Sequence, residues 1–202
     1  MTGAPDLTVL PWPESARFLR QTRNEDETQT VIVISVETPL TTIRHIARQR
    51  IRSALSEALG ILLAQPAQSV ALISEPGQPI RLGLPKQQCG LSISHEPGLS
   101  VAAINLCGAI GIDLMRPGDV PDWQQVALDY LGPQICKRIR EHPENRRAHA
   151  FAQEWTRYEA CLKCLGLGID EWHPALQSKL QRCNVTELAL PDGIVGAVAA
   201  LL

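Results

Sequence analysis

The stretch that decides the fold is FAQEWTRYEACLKCLGLGI, Phe151–Ile169, taken together with AIGIDLM, Ala109–Met115. In the first stretch apolar side chains recur every three or four residues, which is the spacing of one buried helix face. Gly166 and Gly168 follow and are predicted to end the helix. The second stretch is a short apolar run, typical of a buried strand. The rest of the chain is expected to be organised around this helix and this strand.

Three charged side chains lie on the two elements. Asp113 lies within the strand, and Glu159 and Lys163 lie one helical turn apart on the helix. Two carboxylates and an ammonium can hold Mg²⁺ against a diphosphate. Taken singly, each has an ordinary explanation: Asp113 as a strand-end aspartate at a turn, and Glu159 with Lys163 as a solvated surface pair.

Composition excludes several classes of protein. The chain has 202 residues and a formal net charge of −2, which predicts no nucleic-acid partner and no binding to an anionic membrane. Its longest apolar run, Ile194–Leu202, is too short for a membrane span. No basic-then-apolar signal pattern begins the sequence, and its six cysteines are scattered. We therefore expect reduced thiols and a cytoplasmic location.

The pattern along the chain predicts helices and strands in two similar halves. Helices are expected near Glu14–Arg23, from a Thr41 or Thr42 cap to Leu63, and at Trp123–Tyr130, Pro133–Glu141 and Arg147–Leu165. Strands are expected at Val31–Glu37, Ser69–Ile73, Pro79–Leu82, Leu91–Ser94, Leu99–Asn105, Cys183–Leu190 and Ile194–Leu201. The segment His95–Gly98 is expected to be a turn. The predicted fold class is α+β: half-domains 1–108 and 109–202, related by a pseudo-twofold, each a helix on a small antiparallel sheet.

Other candidate residues have two interpretations each. Cys161 and Cys164 form a C-x-x-C pair that could indicate redox or metal chemistry, or be two core thiols within a helix. His95 could face a cleft or be structural. The arginines of the first long helix, Arg48 among them, could bind a ligand or form a solvated face.

Three motifs in order carry a family resemblance. They are Ser92-Ile93-Ser94-His95, Gly111-Ile112-Asp113, and the nine residues WTRYEACLK at 155–163. Together they resemble the 4'-phosphopantetheinyl transferases, in the larger, surfactin-type class whose members are single-chain monomers. The resemblance extends upstream to the Arg48–Arg52 segment and to Gly77-Gln78-Pro79, and it covers most of residues 40–202.

The resemblance implies a reaction and its participants. The 4'-phosphopantetheine arm of coenzyme A would be transferred to a serine of an apo acyl or peptidyl carrier protein, releasing 3',5'-ADP. Mg²⁺, or Mn²⁺ in its place, would be required, with coenzyme A as co-substrate in a cleft between the half-domains. The carrier could serve fatty-acid, polyketide or nonribosomal-peptide synthesis. It would bind the residues after Asp113, through Tyr130, and the start of the Arg147–Leu165 helix.

The resemblance also implies roles for individual residues. Asp113 and Glu159 would hold the metal, and Lys163 would neutralise the diphosphate. Glu159 would take the proton from the carrier serine, directly or through a metal-bound water. His95 with Ser94 would bind the 3'-phosphate and Arg48 another phosphate of coenzyme A. Gly77, Gln78 and Pro79 are also expected to contact the nucleotide end of coenzyme A.

Three positions depart from the family pattern. Met115 stands where a second acid is common, and we hypothesise that Glu96 partly replaces it at the metal. Tyr158 stands where the family has lysine, so a phosphate or carrier contact is absent. Gln78 replaces the lysine of a G-K-P turn, a loss that Arg81 could offset.

Two rival functions remain at this stage. The departures at Met115, Tyr158 and Gln78 suit a catalytically impaired relative that still binds carriers or coenzyme A. The C-x-x-C pair would instead suit an unrelated redox or metal protein.

Overall fold

The computed structural model describes residues 7–24, 31–75, 78–83 and 89–201. The chain divides into two compact units, one formed by Thr8–Ile110 and one formed mainly by the residues from Gly111 onward. Among the described residues, no helix combines the length and apolar character that a membrane crossing requires.

The first unit is a sheet covered by helices. Its strands are β1 (Leu7–Pro11), β2 (Val31–Glu37), β3 (Leu72–Ile73), β4 (Arg81–Leu82), β5 (Gly90–Glu96) and β6 (Leu99–Asn105). Its helices are α1 (Ala16–Asn24) and α2 (Arg44–Leu62). The strands lie in the order β3-β4-β5-β6-β2-β1, and every residue of β6 is buried between β5 and β2. The core forms where the apolar face of α2, including Ile51, Leu55 and Leu59, packs on this sheet.

Helix α2 begins later than the sequence predicted. Neither Thr41 nor Thr42 caps it, because the backbone N–H of Thr42 donates to the carbonyl of Pro39 in a preceding turn. The N-cap position is Ile43, which has extended backbone angles and provides no side-chain cap.

The predicted turn at His95–Gly98 is wrong in its first half. Strand β5 continues through His95 and Glu96, and Glu96 pairs with Leu99 of β6. The turn is therefore only Pro97 and Gly98, with Gly98 at φ 91°. A two-residue hairpin turn needs a residue with positive φ, here Gly98, and glycine adopts such an angle without strain.

The expected strand Ser69–Ile73 is also shorter, because Ala67–Ser69 forms a 3₁₀ turn.

The second unit places one long helix on a three-stranded sheet. Its elements are β7 (Ile110–Met115), α3 (Trp123–Val126), a π-helical turn (Ala127–Leu131), α4 (Pro133–Glu141), α5 (Glu144–Leu165), α6 (Pro174–Leu180), β8 (Cys183–Ala189) and β9 (Val195–Leu201). The strand order is β8-β9-β7, and α5 packs mainly on β9. Helix α5 ends as predicted, with Gly166 in the left-handed conformation at φ 65°.

Helix α6 was not predicted, although the sequence carries its start signal. His173 occupies the N-cap and its Nδ1 accepts a hydrogen bond from the N–H of Leu176, while Pro174 occupies the first turn. The π-helical turn likewise interrupts the single helix expected at Trp123–Tyr130.

The predicted α+β class is confirmed. Strand β1 departs from the predicted antiparallel arrangement, because it runs parallel to β2. The pseudo-twofold relation and the half-domain boundaries at 108/109 stay predictions.

Candidate active site

Asp113 is the most deeply buried carboxylate at the predicted site. It lies on β7 with 6% of its surface exposed, and Lys163 Nζ lies 2.6 Å from its Oδ1. The same ammonium donates to the carbonyl of Ile112 at 3.0 Å. A buried carboxylate is costly unless a cation offsets it. The structure therefore brings together two of the predicted catalytic residues, 50 positions apart in the chain.

Glu159 lies on the same face of α5 as Lys163, one turn earlier. The indole Nε1–H of Trp155 donates to its Oε1 at 3.1 Å. Burial raises the pKa of Glu159, the charge of Asp113 raises it further, and Lys163 and the Trp155 hydrogen bond oppose the shift. The negative charge of Asp113 therefore acts on Glu159, the other predicted metal ligand.

This donor set fits a hard divalent cation. Asp113 pairs with Lys163, and the charge of Asp113 contributes to the raised pKa of Glu159, so a divalent cation would favour the charged forms of both carboxylates. Within the described ranges no cluster of three or more His, Cys, Asp or Glu side chains is arranged for a metal. From the second unit, the protein part of such a site would be these two carboxylates, and Mg²⁺ commonly completes its shell with phosphate oxygens and water.

His95 and Ser94 lie on β5 of the first unit. The Nδ1 of His95 and the Oγ of Ser100 are 2.8 Å apart across the β5–β6 hairpin, and Ser100 is fully buried. This hydrogen bond fixes the orientation of the imidazole ring. Ser94 is itself buried, and Glu96 is half-buried at the end of the same strand.

Arg48 lines a shallow groove of about 550 Å³ along α2. His45 and Arg52 line it too, so three basic side chains follow one helix face, with Val70 and Leu72 also along the groove. Arg52 donates to the carbonyl of Leu72 at 3.1 Å. The sequence analysis singled out Arg48 and included Arg52 only as part of the Arg48–Arg52 segment. It missed His45, although the spacing of three and four residues between the three side chains was visible.

The structure describes only some of the residues that were predicted to bind the nucleotide end of coenzyme A. Gly77 lies outside the described residues, whereas Gln78 and Pro79 are exposed. Arg81 Nη2 lies 3.2 Å from Glu75 Oε2, so the cation suggested to offset Gln78 is paired with an acid.

Met115 and Tyr158 contribute to packing in the second unit. Both belong to the hydrophobic cluster around Phe151 and Leu162. The hydroxyl of Tyr158 donates to the carbonyl of Asp170 and accepts from its N–H. Tyr158 therefore stabilises the position of the segment around Asp170, which follows α5.

Cys161 and Cys164 are buried thiols at the end of α5 that contact Cys183. Burial, with Cys183 nearby, raises the pKa of both, to about 12 for Cys164. Such thiols stay protonated and unreactive. All six cysteines are free, which agrees with the interpretation of this pair as core thiols.

The segment that carries these contacts matches a known family. Residues 109–192 match the sequence model of the 4'-phosphopantetheinyl transferase superfamily. This segment is therefore similar to that superfamily. It contains Asp113, Trp155, Glu159 and Lys163, the residues that the contacts above connect.

Two cyanobacterial proteins are similar to a larger part of the chain. The 4'-phosphopantetheinyl transferase HetI of Nostoc sp. is 31% identical over 161 residues, which cover 74% of this chain and 66% of that protein. The transferase candidate slr0495 of Synechocystis sp. is 27% identical over 117 residues, covering 55% of this chain and 48% of that protein. The chain thus spans slightly under two thirds of the first relative and about half of the second.

Proposed function

We propose that this chain transfers the 4'-phosphopantetheine group of coenzyme A to a serine of an apo carrier protein. The serine Oγ–phosphorus bond forms as the diphosphate P–O bond breaks, and 3',5'-ADP leaves. The observation that carries the proposal is the contact between Lys163 and Asp113, with Glu159 electrostatically coupled to Asp113, inside the superfamily segment. We further propose the surfactin-type class and a monomeric protein.

Each residue of the second unit has a role that its environment supports. Asp113 and Glu159 would hold Mg²⁺, which when bound offsets the charge of the diphosphate. Lys163 is anchored by Ile112 and Asp113 and would direct its positive charge at the diphosphate and at the leaving 3',5'-ADP. Glu159 would accept the serine proton, directly or through a metal-bound water.

The first unit would supply contacts for the nucleotide end of coenzyme A. Arg48, with His45 and Arg52 beside it, offers a basic groove suited to phosphate oxygens. His95 has a ring orientation set by Ser100, which suits a fixed phosphate contact. We also propose contacts to the nucleotide end of coenzyme A from Ser94, Gln78 and Pro79. Glu96 is proposed to support the metal site in place of the acid missing at Met115.

The carrier is proposed to bind residues 114–130 and the start of α5. In this region the side chain of Leu128 is 45% exposed and could contribute an apolar contact to the carrier. Carrier proteins with an acidic surface would also be attracted by the cations of α4 and α5, which include Lys137, Arg140 and Arg146. Such attraction would mainly speed encounter.

The decisive experiment is intact-protein mass spectrometry of several apo carriers incubated with coenzyme A, Mg²⁺ and this protein. We expect one phosphopantetheine mass increment on at least one carrier, lost on chelation and restored by Mg²⁺. Asp113→Asn and Glu159→Gln are each expected to slow transfer about a hundredfold or more. Glu57→Gln, which alters a carboxylate on α2 that pairs with Trp12, is the control and should transfer normally.

Two outcomes would contradict the proposal. No mass increment on any carrier, with coenzyme A still bound, would favour the binding-module alternative. Loss of function in the Cys161→Ser, Cys164→Ser double variant would favour thiol chemistry.

A further inference from the structure

Three of the six free cysteines meet where the end of α5 packs on β8. Cys161 and Cys164 lie on one face of α5, and each has 5% of its surface exposed. Cys183 is the first residue of β8 and is half-buried. A side-chain hydrogen bond connects Cys183 to each of the two helix thiols. Cys183 is therefore the member of this cluster that both other thiols share and that solvent can reach.

Cys164 has a second contact at the same point of the sheet. Leu201 of β9 lies directly opposite Cys183 in the β8–β9 ladder. The backbone of Leu201 also forms a hydrogen bond with the Cys164 side chain. Opposite residues of an antiparallel pair have their Cα atoms only about 5 Å apart. Contacts with Cys183 and with its ladder partner therefore hold the Cys164 sulfur beside the start of β8.

In the reduced protein the Cys164 thiol reacts slowly with small molecules. Burial raises the pKa of Cys164, and the charge and the hydrogen bond of Cys183 raise it further, to about 12. Only the thiolate is a good nucleophile. Two of these three causes depend on Cys183 having a free thiol. They are absent once the Cys183 sulfur is bonded to another sulfur, so the Cys164 thiol then loses its proton more readily.

We propose that Cys183 and Cys164 form a disulfide by exchange with a low-molecular-weight disulfide, and that Cys183 reacts first. The Cys183 thiolate attacks one sulfur of the small disulfide, whose S–S bond breaks, and one small thiol leaves with the proton from Cys183. The Cys164 thiolate then attacks the Cys183 sulfur, and the second small thiol leaves with the proton from Cys164. The protein loses two electrons and two protons, and the small disulfide gains them.

The disulfide would attach the last turn of α5 to β8, directly after Lys163. The backbone at Cys164 also packs closely on β7, since a Cβ atom on Gly111 would lie 2.4 Å from the Cys164 nitrogen. Oxidation would thus add a covalent bond to the helical turn that holds Lys163 at Asp113. The inference is independent of the proposed function, because it requires only the packing of the three thiols.

The test uses cystamine as the small disulfide. The folded protein is incubated with it, remaining thiols are blocked with N-ethylmaleimide at acidic pH, and tryptic peptides are mapped by mass spectrometry without reduction. Trypsin cleaves after Lys163 and Arg182, so the three thiols fall on three different peptides. We expect a cross-link between the peptides that contain Cys164 and Cys183, and its loss after treatment with dithiothreitol.

Single variants test the order of the two steps. Cys164→Ser should keep the cystamine adduct on Cys183, with cross-linking at this position slowed about tenfold or more, because the neighbouring sulfur is gone. Cys164→Ala replaces it if the serine variant does not fold. Cys183→Ser should show neither adduct nor cross-link at Cys164. Cys107→Ser is the control, since it removes an exposed thiol of the first unit and should cross-link at the wild-type rate.

Three outcomes would overturn the inference. The first is a cross-link between the peptides of Cys161 and Cys183 in place of the expected one, and the second is an adduct on Cys183 that never resolves into a disulfide. The third is a cross-link that forms only in urea, because the folded packing would then not be its cause. A Cys164–Cys183 cross-link in the folded protein supports the inference whether or not this chain modifies a carrier.

Discussion

A Cβ atom on Gly111 would lie 2.0 Å from the carbonyl oxygen of Ala160, so β7 and α5 touch through their backbones at this point. Gly111 and Asp113 are two residues apart on a strand and share a face. The close approach at Gly111 therefore brings Asp113 within reach of Lys163, one turn beyond Glu159. The glycine of the G-I-D motif is explained by this packing.

Gly111→Ala should destabilise the protein by about 3 kcal/mol or more, because backbone atoms of α5 would have to move. The new Cβ would also lie 2.4 Å from the backbone nitrogen of Cys164. Chemical denaturation followed by circular dichroism measures the change. Gly168→Ala is the control, since no atom lies within 4 Å of its added Cβ. Equal stability of the two variants would contradict the backbone contact.

Lys163→Met should lower the free energy of unfolding by about 2 kcal/mol, because it leaves the Asp113 carboxylate buried without its cation. Lys163 is a third exposed, which keeps the loss below that of a fully buried pair. Adding Asp113→Asn should recover part of the loss by removing the buried charge. Strict additivity in this double-mutant cycle would mean that the 2.6 Å contact is energetically unimportant.

Stability of the metal-free protein should depend on the ionisation of Glu159. Its pKa is raised by burial first and by Asp113 second, so folding favours the protonated form. The contribution is fully present below the unfolded-state pKa of glutamate and is lost as pH rises through the raised folded-state pKa. Wild type with chelator should therefore lose stability relative to Glu159→Gln over that interval. Parallel stability curves for the two proteins would exclude the shift.

Tyr158→Phe should loosen the segment after α5, because the hydroxyl makes two hydrogen bonds to the backbone of Asp170. The expected cost is about 1–2 kcal/mol. Hydrogen exchange should rise at Asp170 and at Trp172, whose N–H donates to the carbonyl of Asp129. Tyr130→Phe is the control, since no hydrogen bond of its hydroxyl is found among the residues described. Unchanged exchange in Tyr158→Phe would contradict the role of this hydroxyl.

The ends of several elements depended on tertiary context. Strand Val31–Glu37 and helix Pro133–Glu141 follow from local pattern alone and appear with the predicted bounds. His95 and Glu96 were expected in a turn, but pairing with β6 extends the strand through them. Local turn residues could not reveal that a neighbouring strand supplies hydrogen bonds up to the last position.

The sequence by itself determined the periodicity of α5, its glycine stop and the order of the motifs, because these are local properties of neighbouring residues. Only the tertiary structure decided which groups meet: Lys163 with Asp113, Trp155 with Glu159, and Tyr158 with Asp170. The first contact joins two distant segments, and the other two depend on side-chain orientations that the surrounding packing selects. A linear pattern fixes which face of a helix a residue occupies, whereas close packing decides what that residue touches.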